Sequence, residues 1–497
     1  MYYSVFRHTK LFIALHAALA STLCFPIMAG AEAETLIYEG KGGLQSIPDE
    51  WEIGSGKVLF PVTKEGTPSA SNNKVTVRYD PIVNDDSIDP DLVLGGVAKD
   101  GTIEGNVVNM EKGSVSWVIG GFLIPDDSSA ATEKVIIMNN IINIEGGSVE
   151  SIMGAFIPET NSDTVITNNT ITMNGGEVGE ISGGRLSSKS RDVGLAINGT
   201  IITVNGGTVD RILGGQIYGA HAAVTDNEIT VNGNTAKVSG ISGGVAGDYF
   251  STTGSNSSST KSNKVTVNGS TVEGEVYGGQ TEIESSLSDS SGPTSFTFDF
   301  TTIAADNNVT VSGDGLVEGD VYGGHVNIKY ENRVSNTSAK ITGSASAKGN
   351  TVTISKLSKD SSVYGGYVSI AEGDPSNGGT LTAEITAKAI KNIVTVSDTS
   401  ISDTPKVTAG SLYGGYLDKT IISTGTSTIT SNLFTGNTLN LKTNAVSVKG
   451  LHNFQYLNFT LPENIANTTP MLTVEDAPDY GGDHSGNLVT LDIRTPS

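Results

Sequence analysis

The chain has 497 residues and a net charge of -23, with 61 glycines, 6% aromatic residues and 17% charged ones. An acidic balance without Lys or Arg clusters argues against nucleic acid and anionic membrane surfaces as partners, because phosphate binding needs concentrated positive charge. Composition this rich in glycine and hydroxyls speaks for many short strands joined by turns and against helices.

Residues 1–31 read as a secretory signal. Arg7, His8 and Lys10 precede an apolar run from Leu11 to Met28, and Ala29 to Ala31 is a small-x-small cleavage site, with Ala31 to Ala33 as a second choice. The single cysteine, Cys24, follows Leu23 where an acylation site carries a small residue, so it is expected to leave with the signal, and disulfides then cannot hold the mature chain. No later apolar run approaches the roughly 20 residues that a membrane helix needs. Residues 34–62, with Pro48, Trp51 and Phe60, suit a cap over the first rung of a solenoid.

Residues 63–433 are a repeat array with a period of roughly 30 to 45 residues, the mark of stacked units rather than of separate globular domains. Each repeat opens on a head of the form N-x-[VI]-[TN]-[VIM], which alternates apolar and polar residues with the period of a strand. Heads begin at Asn73, Asn106, Asn140, Asn169, Thr200, Asn227, Asn263, Asn307, Asn350 and Asn392, and Asn437 opens a late variant. Each repeat closes on paired glycines, from Gly95 and Gly96 to Gly414 and Gly415, with Gly154 and Ala155 as the lapse. Glycine reaches positive φ without steric cost, so the pair is expected to mark a corner turned alike on every rung. Two residues before the pair stands Val93, Val118, Ile152, Ile181, Ile212, Ile241, Val276, Val321, Val363 or Leu412, an aliphatic column that must face inward.

A unit of two short strands cannot bury its apolar side alone, whereas copies stacked at about 4.8 Å build a continuous core. The expected fold class is therefore all-β, a right-handed parallel β-helix of about ten rungs with variable loops on one side, such as 248–262 and 282–306. The head asparagines should stack as a hydrogen-bonded ladder. Residues 434–475 read as closing rungs and 476–497 as a polar tail.

The signal, the cysteine-free mature chain, the N-x-V-T-V and V-Y-G-G repeats and the closing segment from Gly436 to Phe459 together resemble the passenger region of a bacterial autotransporter. That resemblance implies a passenger exported through, and displayed by, a C-terminal outer-membrane β-barrel, and acting as an adhesin or surface structural protein. Nothing after Leu461 has the length of such a barrel. The translocator is then expected on a missing downstream part, unless the chain is a truncated relative or leaves by another route. The implied location is secreted or at the bacterial surface, the implied partners are the barrel and a host glycan or matrix protein, and no cofactor is expected.

Candidate chemistry is sparse. Gly240 to Gly244 fits G-x-S-x-G, but that motif needs a strand-to-helix elbow and a nearby histidine, and the mature chain offers only His221, His325, His452 and His484. Asp85, Asp86, Asp89 and Asp91 lack the loop spacing of a calcium site. Glu180 and Arg211, one rung apart, should neutralise each other. The sharper signal precedes the glycine pair, where Tyr277, Tyr322, Tyr364 and Tyr413 recur on four successive repeats and Glu275, Asp320, Ser362 and Ser411 stand two residues earlier. Alternation turns both sets outward, and an aromatic ladder edged by carboxylates suits a glycan track. Against it stands plain cross-strand stacking under covering loops. Glu275 and Asp320 also invite a glycosidase pairing, although any β-helix places adjacent rungs near the required spacing. Two alternatives to the adhesin are thus a β-helical polysaccharide-active enzyme and a ligand-free structural passenger.

Overall fold

The computed structural model describes the strands Thr35–Tyr38, Gln45–Ser46 and Thr490–Arg494, and residues 57–61, 70–78, 91–124, 134–188, 190, 193–250, 254–287, 295–332, 338–358, 360–372, 380–397, 408–421, 426–443, 445–461 and 470–475. The expected signal, the loop holding Asp85, Asp86 and Asp89, and most of the expected polar tail lie outside these residues.

The chain is a parallel β-helix. Its heads pair in register into one sheet of 14 strands that runs from Thr35–Tyr38 to Thr490–Arg494. The first of those strands falls in the segment expected as a cap, and the last in the expected tail. Every apolar head position lines up with its counterpart, as Ile142 does with Val108 and Ile171, and these side chains are buried. The aliphatic column before the glycine pair faces them from the second sheet, from Val93 to Leu412, and is fully shielded from solvent. Burying each such side chain contributes about 1.5–3 kcal/mol, so the stack is held by dozens of small equal terms. Among the described pairings one is antiparallel, Gln45–Ser46 against Lys57–Leu59, at the upstream end of the second sheet.

The third side differs from the expected loops. It is a parallel sheet of ten strands, from Thr102–Glu104 to Thr426–Asn432. Most of 248–262 and 282–306 is strand, as in Gly254–Lys261 and Ser295–Ala305, and only the tips at 251–253 and 288–294 lie outside the described residues. These strands lengthen downstream to 11 residues in Ser295–Ala305, Ser338–Lys348 and Thr380–Ile390. They face the continuation of the second sheet across a core of their own, which includes Phe298, Phe300, Val326, Ile328, Ile341 and Ile370.

Between the two cores runs the asparagine ladder. Asn263 Nδ2 donates to Asn307 Oδ1 at 3.1 Å, and Asn307 Nδ2 repeats the bond to Asn350 Oδ1 at 3.1 Å. The same oxygen also accepts the backbone N–H of the preceding asparagine, 3.1 Å from Asn263 N to Asn307 Oδ1. A second bond ties the amide sideways to the third sheet, from Asn350 Nδ2 to the Ala304 carbonyl at 3.0 Å. These amides are buried, so each unmade bond would carry the full cost of a desolvated polar group. Thr200 interrupts the ladder and leaves Asn169 Nδ2 and its own Oγ1 buried without a partner.

The glycine pair does not do what its sequence suggests. None of these glycines has positive φ, and the strand Val321–Asn332 runs straight through Gly323 and Gly324. Their role is close approach. A Cβ on Gly120 would meet the Gly154 carbonyl at 2.6 Å and Asn140 Cβ at 2.8 Å, and one on Gly323 would meet Asn350 Cβ at 2.9 Å. Positive φ sits instead on the residue just before each ladder position, at Asn72, Gly105, Asn139, Asn168, Gly199, Asp226, Ser262, Asp306, Gly349, Lys391 and Gly436. Glycine and short polar residues dominate this set because they tolerate the left-handed region best. The pair also shifts the side-chain alternation by one residue, since Val321 points into the first core and Val326 into the second.

Candidate functional site

That shift places residues on both sides of the glycine pair on one outer face. Strand register aligns Tyr277, Tyr322, Tyr364 and Tyr413 as the sequence implies, and adds His452 at the downstream end. The rings stack with centroids 4.7, 4.8, 4.7 and 4.5 Å apart and planes within 13° of parallel. Ring separation here simply inherits the strand separation, which falls inside the range where offset stacking is favourable.

A second column, which the sequence reading missed, follows the glycines and comprises His325, Tyr367 and Tyr416. Tyr367 meets Tyr364 edge-on, with centroids 5.1 Å apart at 87°, and Tyr416 meets Tyr413 at 5.0 Å and 69°. His325 lies over both Tyr277 and Tyr322, at 5.4 and 5.3 Å. The signal was present in the residues that follow each pair, but taking the pair for a corner sent them to another side of the coil.

Phenol groups reach the flanking carboxylates. Tyr277 donates to Glu275 Oε2 at 2.7 Å, Tyr322 to Asp320 Oδ2 at 3.3 Å, and Tyr367 to Asp418 Oδ2 at 3.2 Å. The other oxygen of Asp320 accepts the Ser362 N–H at 2.7 Å. Glu275 and Asp320 therefore each serve the phenol on their own rung. Burial, followed by these negative neighbours, raises the hydroxyls of Tyr277, Tyr322, Tyr364 and Tyr367 above the ordinary phenol range.

Burial lowers the imidazole of His325 to about 4, and its Nδ1 is buried without a hydrogen-bond partner. An unfolded histidine titrates near 6.5, so the neutral folded ring contributes stability that is present above 6.5 and lost as pH falls toward 4. His325→Gln, the residue its own column carries one rung earlier at Gln280, should flatten the pH dependence of the thermal midpoint across that window. A midpoint that falls as steeply with acid in the variant would assign the effect elsewhere.

Upstream of Tyr277 the column stops. The residue in register there is Ser242, and Gly240 and Val245 flank it. One rung of small side chains thus lies between a rung bearing Arg211, Leu213 and Tyr218 and the rung bearing Glu275, Tyr277 and Glu282, and the result is an open cleft of about 730 Å³. Arg211 donates through Nε to Glu180 Oε2 at 3.1 Å, as the sequence implies. Ser242 Oγ donates to the Gly244 carbonyl at 3.1 Å, and Ser182 makes the same bond to Gly184 at 2.9 Å. The serine of the G-x-S-x-G match is therefore a repeated backbone brace. Among the described residues no three His, Cys, Asp or Glu side chains gather as metal ligands.

No protein-family model, curated protein or solved structure matches this chain.

Proposed function

We propose that the chain is a secreted, surface-displayed β-helical passenger of the autotransporter kind, which binds a glycan or matrix protein without catalysis, as an adhesin or stalk. The observation that carries this reading is the outer aromatic face, in which eight rings are held by strand register and edged with carboxylates beside an open cleft. A rigid scaffold that presents rings and hydrogen-bonding groups together is the arrangement carbohydrate recognition uses. Two features favour binding over hydrolysis. Glu275 and Asp320 are each engaged by a phenol, and Arg211, which lines the cleft, is paired with Glu180. The second reading, a ligand-free structural passenger, is favoured by the rings occupying one another's faces.

Purified protein applied to a glycan array is expected to bind, and incubation with pectin-like polymers is expected to release no new reducing ends. An array without signal would leave the structural reading in place, and new reducing ends would replace both with a polysaccharide-active enzyme.

A further inference from the structure

We infer that the one-rung gap at Ser242 is a subsite for a single pyranose ring of a neutral or amine-bearing sugar. This inference rests on the glycan-binding reading above and narrows it to one place.

The argument begins with ring faces. Carbohydrate C–H groups pack on the face of an aromatic ring, and inside the column those faces are consumed by neighbours at 4.7–4.8 Å. The upstream face of Tyr277 differs, because the side chain in register there is that of Ser242, too short to cover a ring. Leu213 occupies that column one rung further on, so the two walls stand two strand spacings apart, about 9.6 Å. A ring inserted midway lies about 4.8 Å from Tyr277, the separation that the column itself repeats. The slot is therefore about one ring thick. Its volume of about 730 Å³ falls within the range of small-ligand sites and leaves room for the rest of an oligosaccharide.

The polar groups set the class. Glu275 and Glu282 line the slot together with Gln216 and Gln280, and Gln280 Nε2 donates to Glu282 Oε1 at 2.6 Å. Carboxylates and amides of this kind accept and donate to sugar hydroxyls. Arg211 is paired with Glu180 and Arg185 stands near Tyr218, so Glu180, Glu275 and Glu282 outnumber the two arginines and leave the slot negative, on a chain of net charge -23. Uronic and sialic acids are therefore repelled, and an amine is welcome.

The test uses the full chain on an array of neutral, amino and acidic oligosaccharides. Ser242→Tyr extends the ring column by one rung and fills the slot, giving up the Ser242 bond to the Gly244 carbonyl, so its binding should fall at least tenfold while its circular dichroism keeps the β signal of wild type. Ile201→Tyr, at an exposed position on the first sheet and away from the ring face, should bind as wild type does. Wild-type preference for neutral or amine-bearing glycans, lost in Ser242→Tyr and kept in Ile201→Tyr, supports the subsite. Undiminished binding by Ser242→Tyr, or preference for acidic sugars, overturns the subsite and leaves the glycan-binding reading standing. If wild type binds no sugar, both fall together.

Discussion

Replacing Asn307 with leucine should destabilise the β-helix by about 3–5 kcal/mol, although the two side chains have the same number of heavy atoms and the same branching. Asn307 Oδ1 is the acceptor for both the backbone N–H and one side-chain N–H of Asn263, and its own Nδ2 donates to the Thr260 carbonyl at 3.3 Å. Leucine leaves the two Asn263 donors without their acceptor and deprives the Thr260 carbonyl and Asn350 Oδ1 of a donor in a dry interior, at about 1–3 kcal/mol for each group left unsatisfied. The converse change is Thr200→Asn. It supplies an acceptor beside the unpartnered Asn169 Nδ2 and a donor toward Asn227 Oδ1, and should add about 1 kcal/mol. Urea unfolding followed by circular dichroism measures both. Equal midpoints for Asn307→Leu and wild type would show that the ladder is ornamental, with apolar burial alone holding the rungs.

Alkaline titration should reveal the buried phenols. An unfolded tyrosine ionises near 10, whereas the folded hydroxyls of Tyr277, Tyr322, Tyr330, Tyr364 and Tyr367 are raised well above that, first by burial and then by Glu275, Asp320, Glu372 and Asp418 nearby. Because the raised groups are neutral in the folded state, their contribution is complete below pH 10 and declines as pH climbs beyond it. The expected result is that tyrosinate absorbance lags the curve of free tyrosine and then rises together with the loss of the β signal in circular dichroism. A smooth titration at the free value, with the fold intact, would mean that the rings are solvated.

Much of this was legible in the sequence. The heads, the inward column and the asparagine ladder follow from a two-residue period repeated at equivalent positions, and Val93 to Leu412 occupy the place that the pattern assigns. Other features were hidden for physical reasons. Gly254–Lys261 is almost wholly serine, threonine and small polar residues, and its strand character comes from pairing with neighbours on both sides rather than from its own propensity. In sequence, paired glycines suit a positive-φ corner and a close approach equally, because glycine answers both to backbone freedom and to close packing. The fold distinguishes the two, by placing Asn140 Cβ where a side chain on Gly120 would sit. The same ambiguity hid His325, Tyr367 and Tyr416. At the site, the four tyrosines were in the expected register, but the slot beside them is defined by what Ser242 and Gly240 lack, and an absence is hard to find in a pattern of presences.

The ladder's bonds all run the same way. On both sides of Thr200, the bonded amides aim their N–H at the side-chain oxygen of the following rung, and the sense never reverses between Asn73 and Asn437. Dipoles laid head to tail add, and each one polarises the next, by about 10–30% per bond in condensed phase. The interior of this coil is thus electrically directional, with partial positive charge toward the C-terminal end and partial negative charge toward the N-terminal end. Thr200 divides that line into a short upstream run and a longer downstream one, and the ring column lies alongside the longer run.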